Sequence, residues 1–184
     1  PRRYKVLKEV KRRCDADWRR KPGKSVEAPP REENLRYGAT YRDAEPPTVF
    51  QYREDGRFSS AVHMCTGVGE CRKLSGGTMC PSFRATRDEE HSTRGRANAL
   101  RLAMSGQLKE GLTGQRVYEA LDLCLSCKAC KSECPSNVDM AKLKSEVWQL
   151  RYDEHGMGLR DRLIRDSSTV AARLAGPLAP LVNG

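Results

Sequence analysis

The cysteine run between residues 124 and 135 is the part of the chain whose residue types and spacing point most directly to chemistry. Cys124, Cys127, Cys130 and Cys134 are followed by Pro135, which gives the spacing Cys-x2-Cys-x2-Cys-x3-Cys-Pro. This is the spacing of the thiolate run that holds a 4Fe-4S cubane, because cysteines three residues apart let a short loop wrap one side of the cluster. In two-cluster proteins the last cysteine of such a run binds the other cluster, so a second cysteine group is predicted elsewhere.

That other group, in altered form, lies between residues 65 and 80. In chain order it is the first cysteine group, and the run from Cys124 to Cys134 is the second. Cys65 and Cys71 keep the first and third positions, Val68 stands where the second cysteine would be, and Cys80 follows only after a longer spacer. Crossed pairing then gives two ligand sets. These are Cys80, Cys124, Cys127 and Cys130 for one 4Fe-4S cluster, and Cys65, Cys71 and Cys134 for the second. Three thiolates suit a 3Fe-4S cluster, but they also fit a 4Fe-4S cluster whose last iron takes water or a side chain such as His63.

Zinc and disulfides are the alternative interpretations of eight cysteines. A structural zinc site needs four thiolates, usually as two Cys-x2-Cys pairs, and would leave several of these cysteines without a role. Disulfides suit secreted chains, whereas this sequence opens with Pro-Arg-Arg and shows no apolar leader segment. Cys14 belongs to neither group, and we expect it to be only a small side chain.

The composition favours a small core that depends on its cofactors. Of 184 residues, 38% are apolar and 6% are aromatic, so bound clusters would act as internal cross-links and the apo protein should be poorly folded. The formal charge of +10 falls to about +6 once roughly two negative charges are counted for each cluster with its thiolates. A nucleic-acid enzyme with a structural cluster is therefore a weaker interpretation, since the chain also lacks an aromatic platform for stacking bases.

No apolar stretch approaches the length of about 20 residues that crosses a bilayer. We expect a cytoplasmic protein without a transmembrane segment. Its basic face could touch the anionic inner surface of a membrane, although scattered Arg and Lys side chains more often form a solvated exterior.

The segment before the first cysteine group is predicted to be an arm. A short basic helix within residues 1–20 should end at Lys21-Pro22-Gly23, and Pro29-Pro30 and Pro46-Pro47 indicate extended chain after it. The β-prone residues of Thr48–Tyr52 and Arg57–Val62 predict a brief hairpin around Asp55-Gly56.

Helices dominate beyond the first cysteine group. Ser92 or Thr93 can cap a helix that runs to about Ser105, and Thr113 can start another that leads into Cys124. Asn137 or Asp139 can cap a third, whose positive dipole end would face the anionic cofactor. A last helix is predicted from Leu159 to Leu174. The fold class is thus mainly α.

Several cationic residues flank the cluster ligands. Inward-facing cations would favour the more negative, reduced state of a cluster and raise its potential, but we expect most of them to point at water. They are Arg72, Lys73, Arg94, Arg96, Lys128 and Lys131. His91 is expected to be a surface or helix-capping histidine rather than a proton or electron partner.

Helices around two crossed Cys-Pro groups resemble the α-helical ferredoxin module, as in the iron-sulfur subunit of succinate dehydrogenase. Cys65-x5-Cys71 looks like the variant of that module that lacks its middle cysteine and holds a 3Fe-4S cluster. The long spacer from Cys71 to Cys80 departs from the variant. The fold implied is an α-helical ferredoxin-like domain with two cluster loops, preceded by an extended arm.

Whole segments resemble the iron-sulfur region of large FAD-linked oxidases of the D-lactate and D-2-hydroxyglutarate dehydrogenase type. The similar segments are residues 34–38, 79–97 and 120–141. Lys21-Pro22-Gly23-Lys24 looks like the end of the flavin domain of that family, with Lys21 in place of an asparagine. The resemblance implies that residues 1–50 are the end of a flavin domain and a linker, 51–158 the iron-sulfur domain, and 159–184 a helix and a linker to a further domain.

The function implied by the resemblance is electron relay. The module would take electrons one at a time from an FAD reduced by a D-2-hydroxy acid and pass them to a further acceptor, so its partners are a flavin domain and that acceptor. FAD would sit in the adjoining domain, and this segment carries no catalytic residue and no complete substrate site. A stand-alone iron-sulfur subunit of another oxidoreductase, of the glycolate oxidase or succinate dehydrogenase type, is the alternative. Nucleic acid is not expected as a partner.

Overall fold

The computed structural model of the chain describes residues 2–24, 26–33, 38 and 40–175. It divides into two compact units, Pro1–Tyr41 and Arg42–Gly184. Regular structure in the described ranges consists of helices and 3-10 turns, without a strand, and the mainly α fold class is confirmed. The predicted tail from residue 176 onward and residues 34–37 of the first similar segment lie outside the described residues.

The first unit contains one helix, α1 (Arg2–Cys14). It ends earlier than the predicted stop at Lys21-Pro22-Gly23. The carboxylate of Asp15 accepts the backbone N–H groups of Arg19 at 3.0 Å and Arg20 at 2.9 Å, which turns the chain back. A short acidic side chain that binds nearby backbone donors competes with helix continuation, so Asp15 acts as the stop.

The second unit contains the remaining helices of the described chain. In order these are α2 (Phe58–His63), α3 (Pro81–Thr86), α4 (Thr93–Met104), α5 (Gln115–Asp122), α6 (Ala129–Glu133), α7 (Met140–His155) and α8 (Leu159–Ala175). Short 3-10 turns lie at Glu70–Arg72, Glu89–His91 and Gly111–Thr113. Helix α4 is central, because it contacts α2, α5 and α7.

The predicted hairpin over residues 48–62 is wrong. Phe58 and Val62, four residues apart, are both buried on one face of α2, so the apolar residues follow a helical rather than a strand period. The preceding segment finds a different partner for its backbone. The N–H groups of Val49 and Phe50 donate to the buried carboxylate of Glu146 on α7, at 2.9 and 2.7 Å.

The predicted starts of the helices around the second cysteine group agree with the structure. Ser92 Oγ accepts the backbone N–H of Gly95 at 2.9 Å at the start of α4, and Asp139 Oδ1 accepts that of Lys142 at 3.0 Å at the start of α7. Each bond satisfies a donor that the first turn leaves free. The predicted start of helix α5 is Thr113, but the helix begins at Gln115, because Thr113 is the last residue of a 3-10 turn.

The hydrophobic core lies among α2, α3, α4, α5 and α7. Leu100 of α4, Leu121 of α5 and Leu143 of α7 are at most 1% exposed. Four cysteines are part of the same cluster of buried side chains, namely Cys65, Cys71, Cys80 and Cys130. Both cysteine groups are therefore anchored in the core, although Cys127 is exposed and Cys124 and Cys134 are only partly buried.

No helix in the described ranges combines the length and the apolar character needed to cross a bilayer.

Candidate functional site

The first candidate site is a small pocket, here called the Cys124 cavity. Its walls include four cysteines from two distant stretches of the chain, Cys80, Cys124, Cys127 and Cys130. The first residues of α4 and α7 also line it. Because the amino-terminal ends of helices carry partial positive charge, two such ends at one cavity favour an anionic occupant.

The loop from Cys124 to Cys130 carries the three closely spaced sulfurs. Ser126 and Lys128 have φ angles of 52° and 59°, in the left-handed region that residues with a side chain seldom adopt. Two such residues bend the loop tightly between α5 and α6. Cys130 is buried and Cys127 is exposed, so the cavity meets solvent at the middle of the run.

The second candidate site is also a small pocket, here called the Cys65 cavity. Cys65, Cys71 and Cys134 line it together with Thr93 and Arg94 of α4. The structure thus brings Cys80 to the run that begins at Cys124, and brings Cys134 to the first cysteine group. Each cysteine that precedes a proline lies with the other group.

The position of the missing cysteine lies at the edge of the Cys65 cavity. Val68 lines it but is 67% exposed, on a loop whose flanking Gly67 and Gly69 have φ angles of 82° and 86°. His63 is not among the lining residues, and its Nε2 lies 2.8 Å from Asp43 Oδ2. These positions give no support to His63 as the group that completes this ligand set.

The two cavities share part of their walls. Met79, 1% exposed, and Thr93, 3% exposed, line both the Cys124 cavity and the Cys65 cavity. Met79 directly precedes Cys80, and Thr93 is the first residue of α4. Common lining residues make the cavities direct neighbours.

The long spacer between Cys71 and Cys80 is held at its end by Glu133 of α6. Its carboxylate accepts the backbone N–H of Thr78 at 2.6 Å and that of Met79 at 3.1 Å. The Thr78 hydroxyl also donates to this carboxylate at 2.5 Å, and this bond, followed by the two backbone hydrogen bonds, lowers the pKa of Glu133 to about 2. The residue that follows Met79 is Cys80, so this contact positions the first group's cysteine at the second group's run.

A buried arginine lies against Cys80. Arg96 is 1% exposed, and its Nη1 lies 3.5 Å from Cys80 Sγ. Its Nη2 donates to Ser82 Oγ at 2.8 Å, and its Nε donates to the carbonyl oxygen of Ala120 at 2.9 Å. Burial alone would raise the pKa of Cys80, but the hydrogen bond with Ser82 and the charge of Arg96 outweigh it, and the pKa is lowered.

Two other buried cysteines have pKa values that are raised rather than lowered. Burial raises the pKa of Cys130 to about 11, and burial also raises the pKa of Cys71. A buried thiol of this kind becomes a thiolate when a metal ion supplies positive charge at the sulfur. The donor set therefore fits a metal-bound group better than free thiolates.

Lys144 of α7 is a half-buried cation at the start of the cysteine run, outside the residues that line the Cys124 cavity. Its Nζ donates to the carbonyl oxygens of Cys124 at 2.8 Å and of Asp122 at 3.1 Å, and it lies 4.6 Å from the ring centroid of Trp148. Burial lowers the pKa of Lys144. This side chain braces the end of α5 where the cysteine run begins.

The cation beside the Cys65 cavity is paired with a carboxylate. Arg94 Nε donates to Glu89 Oε1 at 2.7 Å, and Arg94 Nη1 donates to the carbonyl oxygen of Gly67 at 3.2 Å. Arg72 also forms an ion pair with Glu89, at 2.8 Å. One carboxylate thus pairs with two arginines near this cavity and compensates one of their two positive charges.

The geometry of both cavities suits a cluster. Among the described residues, no three His, Cys, Asp or Glu side chains come close enough to share one metal ion. A cluster makes a different demand, because each thiolate binds its own iron and the sulfurs stand around a filled space. Sulfurs arranged around a cavity, facing helix amino-terminal ends and a buried arginine, meet that demand.

The remaining predicted residues lie elsewhere. Cys14 is an exposed residue of the first unit. His91 ends a 3-10 turn, where its Nδ1 lies 2.9 Å from Thr86 Oγ1. Lys73 pairs with Glu70 at 2.6 Å, and Lys131 lies 3.8 Å from Glu54.

Sequence reasoning missed the orientation of Arg96 and the roles of Met79 and Lys144. The expectation that the flanking cations face water is wrong for Arg96. The sequence held a signal for it, since Thr93, Arg96 and Leu100 fall at helical spacing on the buried face of α4. No comparable pattern marked Met79 or Lys144.

Comparison with known proteins gives the same cofactor class. Residues 60–138 match the 4Fe-4S dicluster domain, a range that includes every cysteine of both groups. The chain therefore contains an iron-sulfur domain. No solved structure matches the chain.

Curated relatives include D-2-hydroxyglutarate dehydrogenases. That of Pseudomonas putida is 31% identical over 58% of this chain and 14% of its own length, and that of Escherichia coli is 26% identical over 94% of this chain and 20% of its own length. A probable glycolate oxidase iron-sulfur subunit of Bacillus subtilis is 29% identical over 48% of this chain and 20% of its own length. The chain thus spans at most a fifth of these relatives, and the predicted resemblance to an iron-sulfur region of D-2-hydroxyglutarate dehydrogenases is confirmed.

Proposed function

We propose that this chain, whose residues 60–138 match a 4Fe-4S dicluster domain, is the electron-transfer module of an FAD-linked oxidoreductase. The observation that carries the proposal is the pair of neighbouring cavities that share Met79 and Thr93 as walls. A scaffolding cluster needs one site. Two adjoining sites suit transfer of electrons between them.

The proposed ligand sets follow the two cavities. Cys80, Cys124, Cys127 and Cys130 would hold a 4Fe-4S cluster in the Cys124 cavity, and Cys65, Cys71 and Cys134 would hold the second cluster in the Cys65 cavity. We assign the second cluster as 3Fe-4S, since Val68 stands in place of a fourth cysteine. A 4Fe-4S cluster with a non-cysteine ligand at one iron is the alternative outcome.

Iron-sulfur clusters accept and release one electron at a time. The protein positions the thiolates, separates the two cavities by a buried wall, and supplies the charges around the clusters. Met79 and Thr93 form that wall. Helices α4 and α7 direct positive dipole ends at the Cys124 cavity, and Arg96 adds a full charge.

The proposed electron donor is an FAD domain reduced by a D-2-hydroxy acid, of the D-lactate or D-2-hydroxyglutarate type. Support comes from the relatives that are D-2-hydroxyglutarate dehydrogenases, to whose segments this domain is homologous. A reduced flavin holds two electrons, so a module with two one-electron sites can receive them singly. The same proposal makes residues 1–50 the end of the flavin domain and its linker, and it leaves the downstream acceptor to be identified.

The second candidate is a separate iron-sulfur subunit, favoured by the similarity to a probable glycolate oxidase iron-sulfur subunit. The two candidates differ in what the reading frame encodes upstream of Pro1. A flavin domain in the same frame supports the first, and an independent start close to Pro1 supports the second. In either case we propose a cytoplasmic protein, with peripheral contact at the inner membrane face as a further possibility to test.

The proposal is tested by anaerobic reconstitution of the full chain with iron and sulfide. We expect iron and acid-labile sulfide for two clusters per chain, and an oxidised 3Fe-4S signal in low-temperature electron paramagnetic resonance. In Cys65→Ser that signal should vanish while the signal of the reduced 4Fe-4S cluster persists, because Cys65 lines only the Cys65 cavity.

Cys14→Ser is the matched control, since this cysteine lies in the first unit and should leave both signals unchanged. A colourless protein that takes up zinc instead of iron would contradict the proposed function. Loss of both signals in a Cys65→Ser protein with wild-type helix content would contradict separate sites.

A further inference from the structure

Arg96 is an unusual side chain for a small protein core. It is among the largest fully buried side chains of the described residues, where the hydrogen-bond partners of its guanidinium are Ala120 O, Ser82 Oγ and Cys80 Sγ. Among the described residues, no Asp or Glu side chain forms an ion pair with it. A buried cation without a compensating anion is strongly unfavourable, so an anionic group is expected beside it.

The only anion-forming group in contact with Arg96 within the described chain is Cys80 of the Cys124 cavity. The guanidinium is fixed there by two further hydrogen bonds, at 2.8 and 2.9 Å. Its position is therefore set independently of the sulfur, and the charge is directed at the cavity.

The two cavities differ in this respect. Lys144 donates to the carbonyl oxygens of Asp122 and Cys124, at the point where the cysteine run of the Cys124 cavity begins. Burial lowers the pKa of Lys144. By contrast, Arg94 beside the Cys65 cavity is paired with Glu89 at 2.7 Å. Of these cations, Arg96 lines the Cys124 cavity and has no ion-pair partner in the described chain. The arginine that lines the other cavity is paired with a carboxylate.

We propose that Arg96, assisted by Lys144, raises the reduction potential of the cluster held in the Cys124 cavity. The proposal rests on the proposed function, because it takes the ligand set of that cavity as given. Adding one electron increases the negative charge in the cavity by one unit. A fixed cation in a medium of low dielectric constant stabilises that added charge, and little counter-ion screening reaches it.

The test is a redox titration of the reconstituted full chain with dithionite as reductant, followed by electron paramagnetic resonance. Arg96→Met keeps most of the apolar stem and removes the charge. We expect the equilibrium constant for one-electron reduction of the cluster in the Cys124 cavity to fall at least about tenfold, which is about 59 mV for a one-electron couple. Arg96→Lys keeps a positive charge and should recover most of that shift.

Arg94→Met is the matched control on the same helix. Because Arg94 is paired with Glu89 and lines the other cavity, its removal should leave the potential of the Cys124-cavity cluster unchanged. Lys144→Met should lower that potential in the same direction as Arg96→Met, and it serves as the deciding variant if Arg96→Met does not take up iron.

The outcomes distinguish failure of the inference about Arg96 from failure of the proposed function. An iron-loaded Arg96→Met protein with the wild-type potential overturns the inference, as does an unchanged potential in Lys144→Met where Arg96→Met fails to load. A shift of equal size in Arg96→Lys and Arg96→Met also overturns it, because the effect would then follow from altered packing rather than from charge. If the wild-type chain takes up no clusters, the proposed function fails instead.

Discussion

At the scale of residues, the difference between the two cavities comes down to one side chain in each. Val68 replaces a thiolate at the edge of the Cys65 cavity, and Arg96 adds a buried charge to the Cys124 cavity. Under the proposed function, the first difference leaves one iron without a cysteine ligand, and under the further inference the second favours an added electron. Val68 is exposed, whereas Arg96 is buried and hydrogen-bonded within the protein.

Val68→Cys should supply the missing thiolate. The loop is exposed at this position, so we expect little cost in stability and the replacement of the 3Fe-4S signal by that of a second 4Fe-4S cluster. The measurement is iron content and low-temperature electron paramagnetic resonance. Leu74→Cys, at an exposed position outside the lining of the Cys65 cavity, is the control and should leave the 3Fe-4S signal in place. A signal unaffected by Val68→Cys would count against this position as the open corner.

At the scale of elements, α4 positions both cavities. Its first residue, Thr93, lines each of them, and its buried face carries Arg96 and Leu100. The amino-terminal end of α4 is packed tightly against the 3-10 turn at Glu89–His91. A Cβ atom at Gly95 would lie 2.1 Å from the carbonyl oxygen of Glu89, so only glycine allows this approach.

Gly95→Ala should therefore push α4 away from the turn. We expect a loss of about 1–3 kcal/mol in the free energy of unfolding, as for overpacking of a buried contact, although alanine is the better helix former. Denaturant unfolding of the anaerobically reconstituted protein, followed by far-ultraviolet circular dichroism, measures it. Asn98→Ala on the same helix is the control, with an expected change within about 0.5 kcal/mol. Equal stability of Gly95→Ala and wild type would show that the turn can yield.

At the scale of the whole molecule, the second unit places its cofactor sites inside its hydrophobic core. Cys65, Cys71, Cys80 and Cys130 belong to the same buried cluster as the leucines of α4, α5 and α7. Each bound cluster would cross-link stretches that are distant in sequence. The apolar content of 38% gives such cross-links a large share of the stability.

Removal of the clusters should therefore loosen the second unit as a whole. We expect apo protein, prepared by chelation under anaerobic and reducing conditions, to lose near-ultraviolet dichroism and amide protection in α3, α6 and the start of α7. Refolding with iron and sulfide should restore both. If apo and reconstituted protein unfold with the same midpoint, the clusters are not structural cross-links.

The sequence by itself determined the chemistry and the local starts of structure. Cysteine type and spacing predicted the cluster class, and Ser92 and Asp139 predicted where α4 and α7 begin, because ligand spacing and helix capping act over a few neighbouring residues. The tertiary structure decided the rest. That residues 58–63 form a helix, that Arg96 faces the Cys124 cavity while Arg94 pairs with Glu89, and that Met79 joins two cavities all depend on packing between segments far apart in the chain. Burial and the pairing of charges are properties of such packing, so local sequence patterns do not fix them.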